Sequence, residues 1–453
     1  MEFNGRTLPK RVRKVLDMLT NAGYEAWCVG GCVRDLLLGR RPHDWDVTTS
    51  ALPEQVMEVF GRRVFPTGIR HGTVTVMQGM FPVEVTTFRV DGDYADHRRP
   101  TSVTFTSSLD RDLERRDFTV NAMALSLEGE LRDPLGGQAD LKRRMLRCIG
   151  NPDLRFQEDA FRILRGMRFS ATLGFAIHPD TAAAFHRYHP ALRDIARERI
   201  QMEMEKLLPG RKAPAVLREF SDVVGGFWPE ILPLIGMDQQ NPDCPCDVWE
   251  HSLRTLEAVH SQDPVLCCAA LLHDVGKPAV FTLDEDGYGR FEGHGAAGAA
   301  LVEEMLRRLR FSKVFTRNTG KLIAFHDVPL PQKERGIRRL RGELGLDGLR
   351  RLFALQRADA MAHAPEAREA LVRDIDRAEG LLDALLARKA CSSVRQLAVN
   401  GDDLVDLGLT GPAVGAALTW LLDQVAEEAL PNKKKILLEA IRQGGCQQAV
   451  ADA

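Results

Sequence analysis

Hydrophobic positions recur along this chain with two different periods, and the change from one to the other comes near residue 150. Before that point, short β-like runs at Val74–Met77, Val83–Phe88 and Val103–Phe105 are interleaved with helical spacing at Arg11–Thr20 and Pro53–Phe60. A period of two places side chains on opposite faces of a strand, and a spacing of three or four places them on one face of a helix. From about residue 153 the helical spacing prevails: Glu158–Ala171 is strongly amphipathic, and Arg193–Leu208, Val248–Val259, Ala296–Leu309, Gly348–Ala362 and Glu366–Ala387 follow. Proline and glycine clusters at Pro209-Gly210, Asn241–Pro245 and Pro329–Pro331 punctuate the series. The pattern predicts an α/β head and a long all-α body.

A chain of 453 residues is too long for one core and predicts roughly two to four domains. The longest apolar run, Val265–Leu272, is far too short for a bilayer. No apolar stretch follows the basic residues of the N-terminus, so no secretory signal is expected. Nine cysteines without a CxxC pair read as reduced thiols, and with the missing signal they predict a cytoplasmic protein. A formal net charge of −2 argues against a protein that coats nucleic acid. Local basic clusters soften that argument: Lys142, Arg143, Arg144 and Arg147 lie close together, and Lys433–Lys435 form a triplet.

The most informative stretch is VGGCVRDLLLGRRPHDWDV, Val29–Val47. An apolar segment ends at Gly30-Gly31 and a helix is predicted from near Val33, a turn at which backbone N–H groups can approach a triphosphate. Asp44 and Asp46 flank Trp45, and on an extended strand residues two apart face the same way. Converging carboxylates repel unless a cation lies between them, and hard Mg²⁺ with oxygen ligands suits them. A third acid is expected from a neighbouring strand, and Glu84 between Val83 and Val85 is placed for it.

That order of motifs resembles the DNA polymerase beta superfamily of nucleotidyltransferases. GGCVRDLLLGRRPHDWDV, VEVTTFR, DRDLERRDFTVNAMA and FQEDAFRILRGMRFSATLGF resemble, in order, the motifs of the bacterial-type (class II) tRNA nucleotidyltransferases and their poly(A) polymerase relatives. NGDDLVDLGLTGPAVG, Asn400–Gly415, looks like the tail of the longer members. The resemblance implies a mixed sheet with helices in the head. It implies metal binding by Asp44, Asp46 and Glu84, and nucleotide binding by Gly30, Gly31, Arg34, Arg115, Arg116, Asp117, Asn121, Asp159, Arg162 and Arg165. Asp117 is expected at the ribose, and Arg89–Asp110 resembles the family's flexible loop, with a plain surface loop as the competing reading.

Residue chemistry supplies a reason for the later motif. Helical spacing sets Asp159 beside Arg162. Cytosine and adenine both present an exocyclic amine beside a ring nitrogen acceptor. A carboxylate and a guanidinium match that edge, and uracil and guanine oppose it with a carbonyl. An ordinary intrahelical ion pair is the competing reading.

A second constellation comprises His251, His273-Asp274, His294, His326-Asp327 and Asp359. All are metal-ligand side chains, and LLHDVGK resembles the signature of HD phosphohydrolases. Imidazoles favour a transition metal (Mn, Ni, Fe or Co) able to generate hydroxide for phosphate-ester attack. His71, His97, His178 and His363 are expected to be structural or surface residues.

The expectation is therefore a head over 1–150, a helical neck with a base-reading helix over 151–240, an HD domain over 241–375 and a tRNA-binding helical tail over 376–453. The expected activity is CCA addition to tRNA from CTP and ATP, with HD-site hydrolysis beside it. The alternatives are poly(A), CC-only or A-only addition, or an HD phosphohydrolase with a non-catalytic tRNA-binding head. No membrane and no obligate protein partner are expected.

Overall fold

The head is built on β-strands that bury one face and a few helices that cover it. A computed structural model describes residues 8–92, 103–241, 246–387, 393–426 and 429–444. His97, the middle of the Arg89–Asp110 stretch and Cys244 lie outside the described residues. Helix α1 (Lys10–Asn21) buries Val12, Val15, Leu16 and Leu19, a single helical face. Strand β1 (Ala26–Val29) leads through Gly30 into α2 (Gly31–Leu37). Strand β2 (Asp46–Thr49), α3 (Pro53–Phe60), β3 (Val64–Gly68), β4 (Thr73–Gln78) and β5 (Phe81–Thr87) follow. Burial alternates along β4 and again along β5, where Val83, Val85 and Thr87 point inward and Glu84 outward.

Strands β6 (Arg89–Asp91) and β7 (Val103–Phe105) pair antiparallel and precede α4 (Leu109–Glu114). The described parts of Arg89–Asp110 are therefore two strand arms and a helix start, where a loop was expected. Strands β8 (Ala124–Leu125) and β9 (Leu131–Arg132) complete a seven-stranded sheet of order β3-β4-β5-β2-β1-β8-β9. Only β2 and β5 run parallel within it, so the sheet is mixed as the resemblance implied. Register is locked by threonines. Thr73 and Thr86 share a hydroxyl contact of 2.9 Å, Thr87 Oγ1 donates to Ala51 O at 2.7 Å, and Thr49 Oγ1 donates to Glu25 O at 2.6 Å.

After α5 (Gly137–Arg143) the chain becomes helical, with one departure from expectation. Glu158–Ala171 is not one helix: α6 (Pro152–Glu158) ends, Asp159 adopts φ −143°, ψ 96°, and α7 (Phe161–Leu173) begins anew. Helices α8 (Pro179–Tyr188), α9 (Arg197–Leu207), α10 (Ala213–Glu219) and α11 (Ser221–Gly225) close this unit. Gly166 of α7 lets the helix press against aromatic rings from two elements: a Cβ there would lie 2.8 Å from Phe118 Cζ and strike Phe185 as well.

The chain divides into two compact units. One is residues 1–232 with 260–264 and 305–311, and the other is 233–259, 265–304 and 312–453. In the second unit, α12 (Val248–Ala258) is capped by Asp247, whose side chain accepts Glu250 N–H at 2.7 Å. Helix α13 (Pro264–Leu272) is buried on every side from Val265 to Leu272, as its wholly apolar sequence requires. Helices α14 (Lys277–Val280), α15 (His294–Arg308), α16 (Lys313–Phe325), α17 (Glu334–Ala362) and α18 (Pro365–Ala387) follow. The span α17 is two helices meeting at Gly345 (φ 75°, ψ 171°), and the second begins close to the expected Gly348. The last helices, α19 (Gly401–Val405), α20 (Pro412–Ala426) and α21 (Lys434–Arg442), gather round Leu404, Ala417, Leu421 and Leu437. Among the described residues no helix is long and apolar enough to cross a membrane, and the cysteines are free thiols.

Gly166→Ala is expected to destabilise the protein by about 1–3 kcal/mol through overpacking, read as a lower urea midpoint than wild type. An unchanged midpoint would show that the two rings give way freely.

Candidate active site and candidate metal centre

The parallel pairing of β2 with β5 sets Asp46 directly opposite Glu84. Burial raises the Asp46 carboxyl to about 6, Glu84 and Asp44 push it the same way, and Arg116 opposes them. A carboxylate raised in this way beside two further acids fits a hard divalent cation. Asp44 differs from expectation: it is exposed in the bend before β2, not on the strand, though it lines the same cleft as Asp46. Gly30 takes φ 78°, and a Cβ there would meet Arg116 Nη1 at 3.2 Å and Asp46 Oδ2 at 3.8 Å. Glycine is thus required both by conformation and by the close approach of those side chains.

The cleft encloses about 790 Å³ and is lined by Gly30, Gly31, Asp44, Asp46 and a dense set of arginines. Those cations are anchored from behind. Arg115 and Arg116 reach Asp112 at 2.8 and 3.2 Å, and Asp112 is fully buried. Arg34 donates to Asn121 Oδ1 at 2.7 Å and to Asp35 Oδ1 at 2.9 and 2.8 Å. Asn121 in turn donates to Asp117 Oδ1 at 3.1 Å, Phe118 N–H donates to the same oxygen at 2.8 Å, and Arg165 Nε reaches Asp117 Oδ2 at 2.7 Å. Burial would raise the Asp117 carboxyl, but Arg165 and these hydrogen bonds outweigh it and hold it at about 2. Asp117 is thus the hub of the arginine network as well as a residue at the cleft.

The break before α7 changes the expected pairing. Arg162 forms its ion pair with Glu158 at 3.1 Å, not with Asp159, and also donates to the carbonyls of Arg155 and Arg115 at 3.1 and 3.3 Å. Asp159 has left helical phase, and its Oδ1 accepts Phe161 N–H at 3.1 Å. Burial raises its carboxyl, with Arg199 and then Arg162 opposing.

Several residues in the cleft or behind it were not foreseen. Asp112 carries a sequence signal, three and four residues before Arg115 and Arg116. Arg199 and Lys206 line the cleft, and Glu203 of the same helix holds Arg168; their spacing of four and three along Arg193–Leu208 was legible as a polar stripe. Phe161, Phe169 and His71 also line it, the last accepting a hydrogen bond from the Arg89 guanidinium at its carbonyl.

The second unit gathers the other constellation. His251 Nε2 lies 2.8 Å from Asp359 Oδ1, and His273 Nε2 lies 3.5 Å from that oxygen and 3.3 Å from Asp274 Oδ2. His294 and His326 reach Asp274 Oδ1 at 3.3 and 3.6 Å, and their Nε2 atoms are 3.0 Å apart. The Nδ1 atoms of His273, His294 and His326 contact the carbonyls of Ala270, Phe291 and Ile323 at 2.9, 2.8 and 2.7 Å. A carbonyl only accepts, so Nδ1 of each ring carries a proton and Nε2 is the atom turned to the centre. His273 Nε2 is buried without a well-aligned hydrogen bond. Burial would lower His273, but Asp274 and Asp359 raise it to about 10. This donor set fits divalent metal. Asp327 does not share the centre: it faces His294 Nδ1 at 3.5 Å, on the outer side of that ring. His363, expected to be peripheral, stands 3.6 Å from Asp359 Oδ1 and edge-on to His251.

In-register acids beside an arginine cleft, on a mixed sheet capped by helices, define the nucleotidyltransferase class of head. Family models match accordingly: the poly A polymerase head domain over residues 26–147, the probable RNA- and SrmB-binding site of polymerase A over 174–223, the HD domain over 248–379, and the putative tRNA nucleotidyltransferase domain 2 over 352–441. The CCA-adding enzyme of Geobacillus thermodenitrificans is 51% identical over 203 residues, 45% of this chain and 50% of that protein. That of Oceanobacillus iheyensis is 47% identical over 258 residues, 57% of this chain and 62% of that protein. The chain thus spans about half the length of the curated relatives it matches. The crystal structure of the Bacillus stearothermophilus CCA-adding enzyme in complex with CTP superposes with a TM-score of 0.70 and 30% identity, covering 97% of this chain and 99% of that one. The chain belongs to the family of the CCA-adding enzymes.

Ionised Asp117 contributes stability above its unfolded value of about 4, and the contribution of about 2–3 kcal/mol is lost as pH falls through its folded value. Asp117→Asn is expected to be less stable than wild type at neutral pH, with the gap closing towards the Asp117 folded value of about 2. Acid-dependent unfolding curves check this, and a gap that stays constant with pH would refute it.

Proposed function

We propose that the head adds nucleotides without a template to the 3′ end of tRNA lacking CCA, taking CTP and ATP and releasing pyrophosphate. The observation that carries the reading is that Asp46, which lines the arginine cleft, is set in register opposite Glu84. Asp46 with Glu84 and Asp44 would hold Mg²⁺, which when bound neutralises the triphosphate and activates the attacking 3′-hydroxyl. Arg115 and Arg116, held by Asp112, and Arg165, held by Asp117, offer preset donors to phosphates, so little side-chain ordering is left for binding. The aspartate after them, Asp117, faces the ribose. Asp159 accepts a hydrogen bond from the exocyclic amine of cytosine or adenine, and Arg162, steadied by Glu158, donates to the ring nitrogen. Such a substrate places the work in the cytoplasm.

A second activity is favoured by the Nε2 convergence of the other unit. His251, His273, Asp274, His294, His326 and Asp359 would hold a transition metal, which when bound generates hydroxide for phosphate-ester hydrolysis. Lys277, 2.6 Å from Asp274 and bonded to Gln239, steadies that carboxylate.

Asp46→Ala is expected to lose nucleotide addition by at least about a thousandfold, the scale of removing a principal charge-stabilising group. The assay is addition to tRNA lacking CCA with CTP, ATP or both, read by end sequencing, which also separates CCA from poly(A), CC-only and A-only products. Substantial addition by the variant would refute the head reading. Asp274→Ala is expected to lose bound transition metal in elemental analysis while addition continues, and undiminished metal would refute the second reading.

A further inference from the structure

We propose that Phe169 is a positioning residue for the triphosphate, a neutral ring that gathers three arginines of the cleft before any ligand arrives. The inference rests on the reading of the arginine cleft as the phosphate site. Phe169 lies in α7 and is buried, and its ring meets that of Phe118 edge-on with centroids 6.1 Å apart. The guanidinium carbons of Arg168, Arg34 and Arg165 lie 3.9, 5.2 and 5.3 Å from the Phe169 centroid. All three distances fall in the range at which a ring attracts a cation. The four side chains line the same cleft.

Two of the arginines are brought to the ring by helical spacing. Arg165 and Arg168 stand about one turn apart on α7, and Phe169 follows them on the same helix. Arg34 comes from α2, just beyond the Gly30-Gly31 turn, and the ring therefore ties α2 to α7 on the wall of the cleft. Each arginine also has a carboxylate. Arg34 reaches Asp35 at 2.8 Å, Arg165 reaches Asp117 at 2.7 Å, and Arg168 pairs with the buried Glu203 of α9. Those acids come from separate parts of the chain, each holding one of the three cations, whereas Phe169 is shared by all three.

Like charges drawn together repel, and more strongly where water is partly excluded. A further carboxylate among them would offset the repulsion, but its own charge would oppose incoming phosphates. A ring attracts cations through its quadrupole and carries no net charge. The arginines are thus held close with their positive charge undiminished. Cations gathered in advance leave little side-chain ordering for the binding step. The gain applies to the bound substrate and to the transition state alike, so it falls on KM rather than on kcat.

The test uses the full chain with tRNA lacking its CCA end, and inorganic triphosphate as a competitor of CTP and ATP. Phe169 is replaced by its mono-, di- and trifluoro analogues, which stay close to the ring's shape and drain its face of negative charge in steps. KM for CTP and for ATP and the inhibition constant of triphosphate should rise together with each fluorine. The trifluoro ring should raise them about tenfold, the size of several weak cation–ring contacts together. Phe169→Leu, which keeps apolar bulk without a ring, should lose at least as much, and Phe169→Tyr should keep most of the wild-type affinity. Should Phe169→Leu fail to fold, the fluorinated series still decides. Packing alone predicts a wild-type inhibition constant throughout that series. That result, or a loss confined to kcat, overturns the role of Phe169. A wild-type protein that triphosphate does not inhibit overturns the phosphate reading of the cleft itself, and the two failures are thereby told apart.

Discussion

The head depends on one buried carboxylate. Burial works against the charge of Asp112, yet Arg116 and Arg115 close on it from the following turn and hold it ionised. Thr48 Oγ1 lies 3.2 Å from its Oδ2, and the Arg89 N–H donates to its Oδ1 at 3.3 Å. One side chain therefore joins α4, β2 and the start of β6. Desolvating such a group is costly, and stripping either partner from a buried pair leaves a bare charge worth about 3–5 kcal/mol. Phosphate-directed cations cannot be stabilised by the ligand alone, since the protein must fold before it arrives. Asp112 and Asp117 provide the negative charge in advance, from behind the arginines that line the cleft.

The second unit solves a related problem by another route. Among the described residues, its buried Asp274 and half-buried Asp359 pair with one lysine and several imidazoles. Imidazole can be neutral or charged, so the cluster adjusts its charge by taking up protons or a metal. The backbone carbonyls that hold the Nδ1 atoms come from the turn preceding each histidine, so helix ends and turns do the orienting.

Much of this was legible in the sequence. Alternation located β4 and β5, apolar spacing located α1, α7, α12 and α18, and the mixed sheet followed from the family resemblance. What escaped has physical causes. Asp44 shares the D-W-D spacing of a strand, but the strand begins only at Asp46, a boundary periodicity cannot set. The joint at Asp159 was hidden because the helical period continues through it almost in phase. Asp327 and His363 changed places because sequence order does not say which side of a ring a neighbour occupies. Arg199 was legible only as part of a polar stripe, because its partner Phe161 is brought to it by helix packing, across 38 positions of chain.

The register of the central strands has an evolutionary corollary. Asp46 and Glu84 meet only because β2 and β5 are paired without offset, and threonine hydroxyls fasten β5 to its surroundings on both sides. Shifting either strand by one residue would turn an acid to the opposite face while leaving the sheet intact. Insertions and deletions are therefore selected against within these strands even where the fold would absorb them. Length variation among relatives should collect in the connections, such as the segment between β6 and β7, and the spacing from strand start to acid should hold constant across the lineage.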